Sequence, residues 1–314
     1  MKIIQLKKTD KLNSISFYKH NYKNNIEIDE SEVKNNLETL SSDEFGGRLV
    51  GTEGNIKAQD FLVNKFKEYG LKPYNNNTYL QNFKWNGLSV NNVIGVIEGS
   101  DPNLKNEAII VGAHFDHIGQ SYLCWKVPGT NDKICNGADD NASGTVAMLE
   151  LARLFSKFPT KRTIIFVGFN AEEMGLIGSS DLSNKIKELL PNYNIKYMIN
   201  MDMVGRNGDK PLTAAFDSKN PSSADLLKQI LQNLNSNNDF DIIQGKYFKY
   251  FPYSDHYPFY KQGFPVIMFS SLLHNDYHKV TDEANKIDYS TLFKRIQAIY
   301  NVVNTLANDN QKNI

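Results

Sequence analysis

Strand-like runs alternate with helical patterns between residues 108 and 201, and this order limits the possible folds more than any other feature. The runs at residues 108–113 and 163–169 are almost entirely apolar, as is typical of strands covered on both faces. Another strand is predicted at residues 195–201, and helical patterns at residues 145–158 and 176–190 separate the three. We therefore expect an α/β fold: a three-layer sandwich whose mostly parallel, mixed central sheet is covered by helices on both faces.

The flanking segments extend this pattern. Helices are predicted to end at Leu40 and Tyr69, the second because Gly70 suits the position after a helix C-terminus. Strands are predicted at residues 80–85, 92–98 and 265–269, and later helices at residues 222–235 and 288–306. No repeat or linker interrupts the middle of the chain. We predict one domain at residues 27–310 after an N-terminal extension at residues 1–26.

Composition excludes several classes of partner. The 314 residues carry 35 basic and 35 acidic side chains, so no net charge favours nucleic acid or an anionic membrane. The apolar runs are too short for a membrane span. Residues 1–25 contain no apolar core of the kind found in signal peptides. Cys124 and Cys135 are close enough in sequence to form a disulfide, and two free thiols are equally compatible with the sequence.

Polar residues follow one predicted strand end after another. Glu172 and Glu173 come just after residues 163–169, where one carboxylate could bind a metal and the other could handle a proton. In open α/β sheets, ligands gather at the carboxyl ends of the strands. The other polar segments are residues 113–117, 137–144, 200–202 and 276–278.

These side chains suit a metal site. Histidine and carboxylate ligands without cysteine are typical of a catalytic zinc site that leaves a position for water. Two divalent cations would balance Asp140, Glu173, Asp202 and one bridging hydroxide, which gives a neutral site. A lone aspartate or histidine at a strand end is usually a cap or a surface group. Five at successive strand ends are hard to attribute to chance.

The motifs AHFDH, NGADDNASG, NAEEMG, NMDMVGR, SDHYPF and DYHKVTDE occur in the order found in a known family. The chain resembles the two-zinc aminopeptidases of the bacterial leucyl aminopeptidase type, with glutaminyl cyclases as single-zinc relatives. The resemblance implies a zinc exopeptidase fold, residues 27–310 as the catalytic domain, and two Zn²⁺ per chain. It implies His114 and Asp202 as ligands on separate metals and Asp140 as the bridge. Glu173 and His278 would be the remaining ligands, and Glu172 the general base.

The resemblance also implies supporting roles. Asp116 would accept the other imidazole proton of His114, Ser254 would orient His278, and Tyr277 would help to polarise a developing oxyanion. Asp140 rather than Asp139 is expected to bridge, with a cis peptide bond after it. The remaining histidines of the motifs, His117 and His256, are expected either to support the metal ligands or to be structural, without touching metal. His274 lies four residues before His278 in a predicted loop, so helical spacing cannot pair the two. The aromatic stretch 247–260 is expected to pack in the core and partly to line a pocket.

The resulting hypothesis is removal of N-terminal residues from peptides or proteins, by a two-zinc-bound water and a glutamate general base. The alternatives are a single-zinc glutaminyl cyclase, a carboxypeptidase or dipeptidase that grips a carboxylate with Arg48 or Arg206, and a receptor-like module without activity. The resemblance favours a secreted or periplasmic protein, whereas the visible N-terminus leaves a cytoplasmic location open. Side-chain preference and oligomeric state are not determined by these motifs.

Overall fold

A mixed β-sheet lies at the centre of the computed structural model, which describes residues 26–75 and 77–309. In this part of the chain nine strands form the sheet, in the order β1-β3-β5-β4-β6-β9-β7-β8, with β2 paired to β3. The strands are β1 (Lys72–Pro73), β2 (Leu80–Trp85), β3 (Leu88–Ile97), β4 (Glu107–His114), β5 (Thr163–Phe169), β6 (Asn194–Met201), β7 (Leu212–Asp217), β8 (Phe240–Gln244) and β9 (Val266–Ser270).

Strand direction differs between the centre and the margins of the sheet. The neighbours β5, β4, β6 and β9 run parallel, as do β7 and β8. Antiparallel pairs join β3 to β1, β2 and β5, and β7 to β9. The mixed sheet with a parallel centre confirms the predicted fold class. It also brings the carboxyl ends of four successive strands to one edge.

Helices cover both faces. They are α1 (Glu30–Leu40), α2 (Glu53–Glu68), α3 (Gly144–Lys157), α4 (Ile177–Asn184), α5 (Ile186–Leu189), α6 (Pro221–Leu234), α7 (His256–Lys261) and α8 (Tyr289–Asn308). Helices α1, α2, α3, α6 and α8 contribute to one apolar cluster, and α4, α5 and α7 to another. The sheet therefore forms the middle layer of three, as predicted.

Alternate residues of the central strands fill these two clusters. In β5, Ile164 and Phe166 pack on one face, whereas Ile165 and Val167 pack on the other. All four are fully buried. Each such side chain contributes about 1.5–3 kcal/mol of hydrophobic stabilisation, which explains why the predicted strand has no polar face.

Several boundaries differ from the predictions. The helix expected at residues 176–190 is broken at Lys185, whose φ of -104° and ψ of 13° interrupt the helix between α4 and α5. Strands β7 and β8 were not predicted. In β7 the run Leu212–Asp217 contains two alanines and no β-branched residue except Thr213, so its strand signal is weak. The proposed extension at residues 1–26 lies, apart from Ile26, outside the described residues. No helix in the described part of the chain has the length and apolarity needed to cross a membrane.

Candidate metal centre

All six residues predicted as metal ligands or general base meet at the carboxyl edge of the sheet. His114 ends β4, Glu172 and Glu173 follow β5, and Asp202 follows β6. Asp140 lies in the buried helical turn Ala138–Ser143 that leads into α3. His278 arrives on the loop after β9. Five separate segments therefore supply one cluster.

One half of the cluster is built around His114. Its Nε2 atom lies 3.6 Å from Oδ1 of Asp202, 3.6 Å from Oδ1 of Asp140 and 3.9 Å from Oε2 of Glu172. Ligand atoms of His114, Glu172 and Asp202 all lie within 4.8 Å of one another, a separation compatible with one ion. The geometry thus corrects the expectation that His114 and Asp202 serve separate metals, since both face the same point.

The other half contains Glu173 and His278. Nε2 of His278 lies 3.2 Å from Oε2 of Glu173 and 3.3 Å from Oδ2 of Asp140. Asp140 therefore directs Oδ1 towards the first half and Oδ2 towards the second. A carboxylate placed in this way can bridge two cations. The donors are imidazole and carboxylate groups without cysteine, which fits catalytic zinc.

His117 was expected either to support the ligands or to be structural, and the structure places it against Glu173. It is fully buried, and its Nδ1 lies 2.7 Å from Oε1 of Glu173 and 3.8 Å from Oδ2 of Asp140. It forms with Asp140 and Glu173 a second group of potential ligands. The 2.7 Å distance is that of a hydrogen bond, so His117 fixes the orientation of Glu173. The only sequence signal was its place three residues after His114.

The two adjacent glutamates differ in proton affinity. Burial raises the pKa of Glu172, and the neighbouring carboxylates of Glu173 and Asp255 add to this against the opposing effect of His114. Burial also raises the pKa of Glu173. Hydrogen bonds with His117 and His278 outweigh this effect and hold the pKa of Glu173 well below its usual range. Divergent pKa values in a carboxyl pair are typical of separate acid–base roles.

Asp116 supports the glutamate pair rather than the imidazole. Its carboxylate accepts the backbone N–H groups of Glu172 at 3.1 Å and Glu173 at 3.3 Å. Nδ1 of His114 is 3.8 Å from the Asp116 carboxylate and 3.2 Å from its backbone carbonyl. The expected carboxylate–imidazole hydrogen bond is therefore wrong in this structure, because the backbone carbonyl takes that place.

Ser254 also has a different partner from the one expected. Its hydroxyl donates to Oδ2 of Asp202 at 2.6 Å and accepts from the amide of Asn200 at 2.7 Å. It thus orients Asp202, not His278. The ring of Tyr277 stacks on His278 with centroids 3.8 Å apart, and Tyr277 lines the pocket over the cluster.

The turn that carries Asp140 is held by Asp282. The Asp282 carboxylate accepts the backbone N–H groups of Asp139 at 3.0 Å and Asp140 at 3.0 Å. Asp139 itself turns away and accepts the N–H of Gly205 at 2.7 Å. Asp140, rather than Asp139, therefore reaches the cluster. The Asp140–Asn141 peptide bond is cis, as predicted.

Arg48 braces the backbone beneath the cluster. Its fully buried guanidinium donates to the carbonyls of Phe115 and Asn136 at 2.7 Å, Leu40 at 2.6 Å and Gly137 at 2.9 Å. Burial lowers the pKa of Arg48 to about 10, although carboxylates such as Asp140 oppose the shift. Arg48 has no free donor face for a substrate.

Cys124 and Cys135 form a disulfide, which resolves the alternative left open by the sequence. The loop that the disulfide closes contains Trp125. The backbone N–H of Trp125 donates to the backbone carbonyl of His278 at 2.9 Å. Cys135 packs with Ile118 and Val280. The disulfide loop is therefore attached directly to the segment that carries His278.

A cavity of about 440 Å³ opens over the cluster. Its floor is polar, with His114 and the carboxylates already described. Its walls are largely apolar or aromatic: Met203, Tyr250, Tyr253, Met268, Leu272, Leu273 and Tyr277. Such a mixture of apolar walls and a few convergent polar groups is typical of a small-molecule site.

Comparisons with known proteins agree with this geometry. A family model described as peptidase family M28 matches residues 92–303. Aminopeptidase YwaD of Bacillus subtilis (strain 168) is 36% identical over 121 residues, which cover 38% of this chain and 23% of that protein. Leupeptin-inactivating enzyme 1 of Streptomyces exfoliatus is 28% identical over 255 residues, covering 80% of this chain and 50% of that protein.

Solved structures support the fold. LapA aminopeptidase of Legionella pneumophila has a TM-score of 0.69 at 20% identity, covering 99% of this chain and 78% of that one. A glutaminyl cyclase of Bacteroides thetaiotaomicron bound to N-acetylhistamine also has a TM-score of 0.69 at 20% identity, covering 91% of this chain and 99% of that one. The matched part of the chain spans about a quarter of the length of the first curated relatives.

Proposed function

The chain belongs to peptidase family M28, and on that basis we propose that it is a two-zinc aminopeptidase that removes N-terminal residues from peptides or proteins. The observation that carries the proposal is the position of Asp140. Its two oxygens face His114 on one side and His278 on the other, at 3.6 and 3.3 Å. Glu172, with its raised pKa, lies beside this bridge.

The distances support two ligand groups. His114 and Asp202 would hold one zinc, Glu173 and His278 the other, and Asp140 would bind both. Zinc in such a site supplies a Lewis acid for the scissile carbonyl and lowers the pKa of a water molecule. His117 would keep Glu173 oriented through its 2.7 Å contact, and Ser254 would do the same for Asp202.

Glu172 is proposed as the general base. Its side chain is 11% exposed and lies at the pocket floor, so it can reach a water molecule without being fully solvated. A carboxylate with a raised pKa is a stronger base, so it can accept a proton from the attacking water and return it to the leaving amine. Tyr277, at the cavity wall beside His278, is proposed to donate a hydrogen bond to the developing oxyanion.

The charge and shape of the cavity determine which end of a peptide binds beside the metal site. The carboxylates at the cavity floor favour the protonated α-amine of a peptide. The apolar walls can pack against an apolar first side chain, such as leucine. Relatives named aminopeptidases support this substrate class.

The alternatives receive less support. A glutaminyl cyclase would need one zinc, whereas the position of Asp140 between His114 and His278 supports two metal positions. A carboxypeptidase was expected to use Arg48 or Arg206. Arg48 is committed to four carbonyls, and Arg206 lies 2.7 Å from Asp276. A receptor-like module has no need of a full ligand set.

The disulfide bears on the cellular compartment. Disulfides form and persist mainly in oxidising environments. Together with the family resemblance, Cys124–Cys135 supports the proposal that the protein works in a secreted or periplasmic setting.

The test is metal content together with activity. Purified protein loaded with zinc should contain two zinc ions per chain by mass spectrometry and should release p-nitroaniline from Leu-p-nitroanilide. A chelator should abolish the activity and added zinc should restore it. One zinc per chain, with cyclisation of an N-terminal glutamine and no hydrolysis, would favour the cyclase instead.

A further inference from the structure

One cation lines the cavity over the proposed active site. Among the cavity-lining residues in the described ranges, Lys249 is the only lysine or arginine. It follows the short helical turn Gly245–Tyr247 after β8, in the same segment as the cavity-lining residues Tyr250 and Tyr253. The cavity is also lined by four carboxylates, which carry the opposite charge.

The ammonium group of Lys249 is not neutralised by the protein. Within the described part of the chain no carboxylate lies within 4.0 Å of its Nζ atom, whereas Lys65, Lys185 and Lys286 all have such partners. Its contact is with the ring of Tyr250, 4.5 Å from Nζ to the centroid. A cation–π contact holds the side chain against the cavity wall without cancelling its charge.

The other candidate cations are committed elsewhere. The four carbonyl contacts of Arg48 use its guanidinium below the site. Arg206 is 2.7 Å from Asp276 and 3.9 Å from Asp282. Neither lines the cavity. In the described part of the chain, Lys249 is therefore the one lysine or arginine side chain that a substrate carboxylate would meet in the cavity.

Charge explains why such a group is needed. Asp140, Glu172, Glu173 and Asp202 all line the same cavity. Bound metal would neutralise part of this charge, but a second anion nearby would still be repelled unless a cation faces it. An exposed lysine that lines the same cavity as these carboxylates would attract the carboxylate of a substrate, while the acidic residues attract its amine.

We propose that Lys249 is a carboxylate-binding residue of the substrate site, which selects substrates with an anionic group close to the scissile bond. The inference rests on the proposed aminopeptidase function. The carboxylate has two sources: the side chain of an N-terminal Asp or Glu, or the C-terminus of a dipeptide. Both present the same chemistry to Nζ.

The test compares Lys249→Met with Lys246→Met. Lys246 is a matched control because its Nζ lies 5.0 Å from the Tyr247 ring centroid, in a similar cation–π contact, and it does not line the cavity. Four substrates are used: Leu-p-nitroanilide, Glu-p-nitroanilide, Leu-Gly and Leu-Gly-amide. They separate a neutral substrate, a side-chain carboxylate and a C-terminal carboxylate.

Lys249→Met should lower kcat/KM for Glu-p-nitroanilide or for Leu-Gly by roughly threefold to fivefold, the upper end of the scale of an exposed ion pair. Leu-p-nitroanilide and Leu-Gly-amide should change by less than about twofold, the scale of a surface substitution. Lys246→Met should leave all four unchanged. Equal losses on all substrates, or no loss on either anionic one, would overturn the proposal.

Hydrolysis and binding measurements together distinguish a failure of this inference from a failure of the proposed function. If wild-type protein hydrolyses Leu-p-nitroanilide but Lys249→Met leaves the carboxylate preference intact, only the inference fails. If the wild type hydrolyses none of the substrates, the proposed function fails. Calorimetry with Leu-Gly and Leu-Gly-amide on zinc-loaded protein then decides: tighter binding of Leu-Gly that is lost in Lys249→Met supports the inference, and equal binding of the two ligands overturns it.

Discussion

Nδ1 of His117 lies 2.7 Å from Oε1 of Glu173, while the other carboxylate oxygen of Glu173 lies 3.2 Å from Nε2 of His278. One oxygen is thus held by a buried imidazole and the other faces the cluster. His117 therefore determines which oxygen of Glu173 is available for metal. Residues that hydrogen bond to metal ligands, without touching the metal, commonly influence metal affinity.

His117→Phe should weaken metal binding at the Glu173 side. The phenyl ring fills a similar space but cannot hydrogen bond, so Glu173 loses its orientation. We expect zinc affinity at one of the two positions to fall roughly 10- to 100-fold, as for other substitutions of residues that hydrogen bond to metal ligands. Competition with a zinc indicator measures this. His117→Asn, whose amide can still donate, should retain more affinity than His117→Phe, and equal affinities in both variants would contradict the account.

Arg48→Met should destabilise the fold strongly. The substitution leaves the carbonyls of Leu40, Phe115, Asn136 and Gly137 without their donor in a fully buried site. An unsatisfied buried group costs about 1–3 kcal/mol, so we expect the free energy of unfolding to fall by at least about 3 kcal/mol. Urea denaturation measures it.

Lys72→Met is the matched control for Arg48→Met. Lys72 pairs with Glu98 at 2.7 Å, but both side chains are more than half exposed. An exposed pair of this kind contributes at most about 1 kcal/mol. If both substitutions cost the same, the bracing role of Arg48 is wrong.

Reduction of the disulfide should affect both stability and the metal centre. Closing a loop of this size stabilises a fold by about 3 kcal/mol in the chain-entropy model. Because Trp125 donates to the carbonyl of His278, loosening the loop should also lower zinc occupancy. Unfolding and zinc content are measured with and without dithiothreitol, with Cys124→Ala as the control that should not respond to the reductant. A wild-type protein that is equally stable and equally loaded in both conditions would argue against this link.

Acid should destabilise the protein partly through His256. Burial lowers the pKa of His256 to about 3, against 6.5 for the free side chain, and its ring packs edge-on against Phe251. The unfolded chain therefore binds the extra proton between these values. Stability is fully present above pH 6.5 and is lost as the pH falls towards 3, with a slope of up to about 1.4 kcal/mol per pH unit.

The variant His256→Phe should remove this part of the pH dependence. Between pH 7 and pH 5, the free energy of unfolding in urea should fall more steeply for metal-free wild type than for the variant, by up to about 1.4 kcal/mol per pH unit below pH 6.5. Parallel curves for the two proteins would show that His256 does not titrate in this way.

The parallel centre of the fold was predictable because its residues repeat a strong pattern. Residues 163–169 are covered on both faces, and their apolar run matches β5 (Thr163–Phe169) residue for residue. Strands β7 and β8 were missed because they lie towards the margin of the sheet and their sequences lack long β-branched runs. Tertiary pairing with β9, not local propensity, holds β7 in place.

The candidate site divides in a similar way. Polar residues after strand ends indicated where a cluster would form, and the resemblance to the aminopeptidase family indicated its individual members, including Asp140 in the turn Ala138–Ser143. The contacts that these residues make with one another could not be predicted from the sequence. Whether Ser254 reaches Asp202 or His278, and whether Asp116 faces an imidazole or two backbone N–H groups, depends on ångström-scale packing between distant segments.

The central claim, that Glu172 moves protons while Glu173 binds metal, is tested most directly by zinc content and turnover of Leu-p-nitroanilide in Glu172→Gln and Glu173→Gln, measured on the same preparations. Glu172→Gln should keep two zinc ions per chain and lose kcat by roughly 10²- to 10⁴-fold, the usual contribution of a general base. Glu173→Gln should lose zinc. Two zinc ions and wild-type turnover in both variants would contradict the claim.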